Sequence, residues 1–256
     1  MSQEIIDKMW IWGHRVNQFY NSWGINAESK ATPSDGARYL GVSNIMMCLP
    51  PSEEEARGVS HLKHIVWCVY YDESWQFLPS LQPIRDLATR YPQIEGVLVD
   101  DLSSWCIRKG MKPELLAQLH AAVRGGTRPL ALWGVFYNMN LDLNLEDYFP
   151  YIDVSTFWTW RAEDLKDLEG NFEAFEKRIG DKPIILGLYM YDYGDKRQMP
   201  VPLMKKQCRI ALELLKEKRI QGMHFITSSI TDLGFEAVEW TRDWIKAVGR
   251  GQESTL

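Results

Sequence analysis

Asp100 and Asp101 stand side by side at the end of the apolar run IEGVLV, residues 94–99. Carboxylates are costly to desolvate, and neighbouring ones repel each other. Such an apolar run suits a strand buried on both faces of a parallel sheet. Two acids at its exit therefore have the makings of a general acid/base pair, in which one carboxyl keeps the proton that its neighbour has lost. Asp192, in YMYDYGD, also closes an apolar run, although Asp and Gly there equally suit a turn. His14, Tyr137, Asn138, Trp158, Trp160, Arg161 and Tyr191 sit at the ends of other apolar runs. With 12% aromatic residues and 11 Trp, many at run ends, the rings fit either a bulky core or a cleft walled by flat faces, as sugar sites often are.

The elements that would gather these residues alternate. Apolar runs at 8–14, 43–49, 64–71, 94–99, 130–137, 154–158, 184–191 and 222–227 read as strands. Helical stretches lie between them. Thr32 before Pro33 and Ser52 before the acidic turn Glu53–Glu55 are helix starts. Residues 75–91, 113–124, 162–179, 202–218 and 235–248 have helical character, and 146–151 reads as a short helix or turn. Eight strand–helix units predict a (β/α)8 TIM barrel, a single domain over residues 1–256. An open doubly wound sheet is disfavoured, because no strand exit carries a glycine-rich phosphate loop. Barrel sites open at the C-terminal ends of the strands, so the candidates above share one mouth. Asp72, Glu73, Ser228 and Ser229 also fall at strand exits, but they read more simply as helix starts and caps.

A net charge of −5 offers no pull toward nucleic acid or anionic membranes. No stretch reaches the roughly 18 apolar residues that span a bilayer, and the first residues lack the pattern of a secretory signal. A cytoplasmic protein with four reduced, mostly buried cysteines is expected. The five His are scattered, no HxH occurs on the first strand, and neither a metal nor another cofactor is implied. A metal-dependent hydrolase or isomerase is the least favoured enzyme reading.

Paired acids in an aromatic cleft suit glycosidic bond cleavage. One acid protonates the leaving oxygen, and a second group steadies charge at the anomeric carbon or activates the nucleophile. The layout of Asp101 with Asp192 is similar to the large clan of retaining glycosidases on this barrel, which draw carboxylates from strands four and seven. Here Asp stands where that clan has Glu, and no Asn precedes the acid. VLVDDL resembles the Asp-Asp motif of the β-N-acetylglucosaminidases that remove O-linked GlcNAc. That resemblance implies that the substrate's own acetamide is the nucleophile, with one aspartate orienting it and its neighbour acting as acid/base. It runs on through Tyr137, Phe157-Trp158-Thr159 and Asp192, although Trp160 replaces the family's glycine. The last unit, MHFITSSITDLGFEAVEWTRDWI, looks like bacterial barrels associated with carbohydrate-processing loci. The expectation is a glycoside hydrolase with Asp101 as principal acid/base, Asp100 or Asp192 as its partner, and a carbohydrate as ligand. A non-catalytic carbohydrate-binding barrel, or a polysaccharide lyase using Tyr137 or Tyr193, is the alternative.

Overall fold

The computed structural model describes residues 2–72 and 74–252; the strand-exit position Glu73 lies outside the described residues. Strands β1 (Met9–Gly13), β2 (Asn44–Met47), β3 (His64–Val69), β4 (Ile94–Val99), β5 (Ala131–Tyr137), β6 (Val154–Trp158), β7 (Ile184–Tyr189) and β10 (Gly222–Ile226) form a closed parallel barrel. Each pairs with its predecessor, and β10 closes onto β1 with Met9 opposite Met223 and Trp12 opposite Ile226. The chain thus has the (β/α)8 fold that its alternating pattern predicts.

Helices α1 (Ser2–Ile6), α2 (Pro33–Leu40), α3 (Glu53–Val59), α4 (Leu78–Arg90), α5 (Pro113–Arg124), α6 (Leu168–Ile179), α7 (Val201–Lys216) and α8 (Glu236–Gly249) surround it. The start signals act as read. Thr32 and Asp35 form a reciprocal capping box ahead of Pro33, and the Ser52 hydroxyl accepts the Glu55 N–H. None of the described helices is long and apolar enough to cross a membrane.

Several boundaries differ from the sequence expectation, three of them by more than a fraying end. The helix expected from residue 75 begins at Leu78. Asp72 spends its carboxylate on the Ser74 and Gln76 N–H groups and the Ser74 hydroxyl, which closes a turn first. Residues 162–167 form 3-10 turns before α6 proper. The third difference bears on the site. The seventh strand ends at Tyr189, not Tyr191. Tyr191–Asp192 (β8) instead pairs antiparallel with Arg197–Gln198 (β9) in a small hairpin.

Bulky rings fill the barrel interior. Trp10 and Trp133 meet with ring centroids 5.2 Å apart, while Trp12 stacks on His224 at 5.1 Å and meets the edge of Trp158 at 5.6 Å. Indoles this large need room that an ordinary strand residue would occupy. Gly96 and Gly187 provide it. A Cβ on Gly96 would lie 2.8 Å from Trp133 Nε1, and one on Gly187 would lie 2.0 Å from Trp158 Cδ2. The rings form the base on which the mouth is built.

Candidate active site

β4 delivers the acidic pair. Its last residues are fully buried, and the chain then turns sharply because Asp101 takes a left-handed conformation, φ 49° and ψ 31°. Asp tolerates that region better than most residues, though still at a cost. The Asp101 carbonyl accepts the N–H groups of Trp105 and Cys106 and starts a π-helical turn over Leu102–Ile107, a feature that recurs at functional sites. Both carboxylates face a cavity of about 160 Å³.

The two acids are held differently. The Asp101 Oδ1 accepts the Tyr137 hydroxyl at 2.8 Å and the Ser104 hydroxyl at 3.1 Å. Among the described residues, Asp100 Oδ1 accepts just the Asp101 N–H at 2.9 Å, with the Cys48 thiol donating to Oδ2 over 3.7 Å. Burial, reinforced by the neighbouring Asp101 charge, pushes the Asp100 carboxyl up to about 7. Asp100 thus retains its proton to higher pH than an ordinary carboxyl. The sequence expectation names Asp101 as the principal acid/base, with Asp100 or Asp192 as its partner.

The raised Asp100 pKa links stability to pH. The folded protein holds a proton that the unfolded chain releases near 3.9, so stability falls as pH rises through the window from about 4 to about 7. Asp100→Asn cannot ionise. The variant is expected to melt above the wild type at about pH 8, with the difference closing toward about pH 5. Melting curves showing the same offset at both would remove the case for a perturbed Asp100.

His14 enters at the end of β1. The Thr227 hydroxyl donates its one proton to the Trp12 carbonyl at 2.9 Å, so the 2.6 Å contact between Thr227 Oγ1 and His14 Nδ1 requires Nδ1–H as donor. Burial lowers the imidazole to about 3. His14 thus stands neutral at the cavity wall with Nε2 as an acceptor. Thr227→Val would strand the Nδ1–H in a buried wall. The expected loss is about 1–3 kcal/mol of stability in urea unfolding, and a loss below about 0.5 kcal/mol would show that another group holds the ring.

Aromatic rings complete the cavity: Trp12, Phe19, Trp23, Tyr137, Trp158, Trp160, Tyr189 and Tyr193, together with Ile226. Trp160 meets Trp23, Tyr137 and Tyr189 edge-on and stacks on Tyr193 at 6.5 Å. Trp12 Nε1 and Tyr193 Oη are buried and find no partner among the described residues. Burial holds the phenols of Tyr137, Tyr189 and Tyr193 well above their usual range. Among the described residues, no Lys or Arg lines the cavity.

The structure therefore brings Asp100, Asp101, His14, Tyr137, Trp158 and Trp160 together. It separates four other candidates from them. Asp192 is 0% exposed; its oxygens accept the Ala162 and Asp195 N–H groups and the Arg197 guanidinium at 3.0 Å. It clamps the hairpin to the loop after β6 and does not face the cavity. The Tyr191 hydroxyl donates to the Trp23 carbonyl at 3.0 Å. Asn138 bridges Trp160 N and Asp164. Arg161 pairs outside with Asp195 and Glu163. The early end of β7 explains the first two: the hairpin carries residues 191 and 192 off the rim, and Tyr189 takes the inward place. Trp12 was legible as the strand position two before His14. Phe19 and Trp23 come from an irregular loop that carries no periodic signal.

No family model matches the chain, that of the O-GlcNAc-removing enzymes included, and no curated protein matches it. Solved structures do. A GH99 endo-α-mannosidase from Bacteroides thetaiotaomicron, in complex with bis-tris-propane, aligns at 12% identity and a TM-score of 0.58 over 98% of this chain and 99% of that one. A xylanase and α-amylase inhibitor protein in complex with trehalose aligns at 10% identity and 0.56, over 96% and 98%. A tamarind chitinase-like lectin aligns at 11% and 0.54, over 91% and 98%. At such identities the likeness establishes the fold alone. That fold is the TIM barrel that all three of these structures share.

Proposed function

We propose that the protein is a glycoside hydrolase that takes one neutral, terminal sugar ring into the aromatic cavity. The observation that carries this reading is the adjacency, on the cavity lining, of Asp100, whose carboxyl burial raises to about 7, and of Asp101, which accepts the Tyr137 hydroxyl. Asp100 would protonate the leaving oxygen. Asp101, which accepts the hydroxyls of Tyr137 and Ser104, would steady positive charge at the anomeric carbon, orient a substrate acetamide, or activate water. With Asp192 locked in a salt bridge, a nucleophile from strand seven is not part of the scheme. That favours either a substrate-derived nucleophile or water.

The cavity's other groups support a polyhydroxyl ligand. Trp12 Nε1 offers a donor, His14 Nε2 an acceptor, and Tyr193 Oη either. Its volume of about 160 Å³ is below the roughly 300–1,000 Å³ of pockets for drug-sized ligands, which suits a single ring. The lack of a lining cation argues for neutral sugars over uronates or sugar phosphates. A lyase would need a phenolate base, and the raised phenols work against it.

The test is incubation of the protein with a panel of neutral α- and β-linked oligosaccharides and aryl glycosides, followed by chromatography for released monosaccharide. One observation favours a second reading, a carbohydrate-binding barrel without turnover: both cavity acids come from a single strand exit. Calorimetric binding with no released sugar would select that reading.

A further inference from the structure

Most of the cavity wall is buried or half-buried. Among the described residues that line it, Trp23 alone is exposed, at 39%. We propose that Trp23 is the specificity-determining residue for the part of the substrate outside the cavity, a second saccharide ring that lies against its indole. The proposal rests on the reading above that the cavity takes one sugar ring, and it adds what that ring is joined to.

Three observations carry it. The first is position. Trp23 shares the cavity lining with Asp100 and Asp101. A ring seated there can be joined to a neighbour only through the open mouth, and the exposed lining residue is what that neighbour meets. Among the described residues, no ring stacks parallel on Trp23; Trp160 and Tyr193 meet it at 77° and 87°. The second is conformation. Residues 22–25 form a tight turn, in which the Ile25 N–H donates to the Ser22 carbonyl at 2.9 Å. Both central residues are left-handed, Trp23 at φ 55° and Gly24 at φ 81°. Such turns favour Asn-Gly, and a bulky indole at the first of the two positions is a steric outlier. Outliers of this kind cluster at ligand sites, where the surrounding structure enforces them. The third is support. The Tyr191 hydroxyl donates to the Trp23 carbonyl at 3.0 Å, and a Cβ on Gly24 would lie 2.6 Å from the Lys196 carbonyl oxygen. The turn therefore rests on the hairpin of β8 and β9, which the cross-strand Asp192–Arg197 ion pair braces. A platform fixed from below is preorganised for its ligand. The hairpin's exposed residues, Lys196, Arg197 and Gln198, are polar. A flat apolar face in polar surroundings fits a pyranose, apolar on its face and polar at its edge, better than an alkyl chain.

The experiment is calorimetry in an Asp100→Asn background, with methyl glycosides of single neutral sugars set against the disaccharides built from them. In Trp23→Ala the ratio of disaccharide to monosaccharide affinity is expected to fall about tenfold. Trp23→Phe should restore much of that ratio, because a flat ring is present again. Trp23→Asn guards against loss of the turn. Asn suits a left-handed position, so this variant should melt above Trp23→Ala yet show the same low ratio. An unchanged ratio in Trp23→Ala and Trp23→Asn would overturn the proposal and leave the cavity reading intact. Failure of the parent protein to bind either class of probe would sink the cavity reading, and this proposal with it.

Discussion

Asp100→Asn is expected to lower kcat on an unactivated oligosaccharide by about 10²–10⁴-fold, the usual contribution of a positioned general acid. Binding should survive, because the amide keeps the size of the carboxyl. The loss should depend on the leaving group. An aryl glycoside with an acidic phenol departs without protonation, so Asp100→Asn should cost far less there. Asp101→Asn should cost similar amounts on both substrates, since positive charge develops at the anomeric carbon whatever leaves. The wild-type rate should fall as pH rises through about 7, where Asp100 surrenders its proton, and Asp100→Asn should lose that limb. If Asp101→Asn, and not Asp100→Asn, shows the dependence on leaving group, the roles assigned from the hydrogen bonds are inverted. The contrast between the two variants is informative because they differ by one residue in sequence yet receive different partners from the fold.

Gly187→Ala is expected to be the most damaging single-methyl change in the barrel. The added Cβ would fall within 2.0–2.4 Å of three atoms of the Trp158 ring. That ring is fixed: its Nε1–H donates to Thr156 Oγ1 at 2.8 Å, and Trp12, Tyr189 and His224 surround it. Overpacking a dense core typically costs 1–3 kcal/mol and occasionally more. With the indole held on every side but the cavity, about 3 kcal/mol or more is expected from urea unfolding. Ligand affinity should fall as well, because Trp158 can yield only toward the cavity it lines. A variant as stable as wild type would mean that the ring and strand β7 can separate at little cost, which conflicts with a close-packed interior. Gly41→Ala, where an added Cβ meets nothing within 4 Å, is the comparison on an open surface. Its left-handed φ of 74° makes its cost conformational instead of steric.

The fold was legible because its signals are local and repeated. Alternating apolar strands and capped helices recur through the chain, and the capping residues Thr32 and Ser52 act in the structure as their types dictate. The site was legible in part for the same reason. His14, Asp100, Asp101, Tyr137 and Trp158 lie at or just past true strand ends, so a correct strand boundary was enough to place them. Where the boundary slipped, so did the residue. Reading strand seven two residues too long put Tyr191 and Asp192 in the mouth, when the period of two gives that place to Tyr189. Arg161 and Asn138 failed differently. They do follow strand exits, but their partners, Asp195 and Glu163 for one and Asp164 for the other, hold them outside the cavity, and the Asp195 and Asp164 pairings join distant parts of the chain.

The sequence by itself determined the barrel, the position of the acidic pair on its fourth strand and the abundance of rings around its mouth. Those properties follow from residue type, period and spacing, which act within a dozen residues. Only the tertiary structure decided which partners each acid receives, that His14 presents an acceptor, and that Asp192 is a clamp. Each of these depends on burial and on hydrogen bonds between strand exits far apart in the chain. An ionisable group's free energy is set by what surrounds it in space, and the order of residues along the chain does not specify that surrounding.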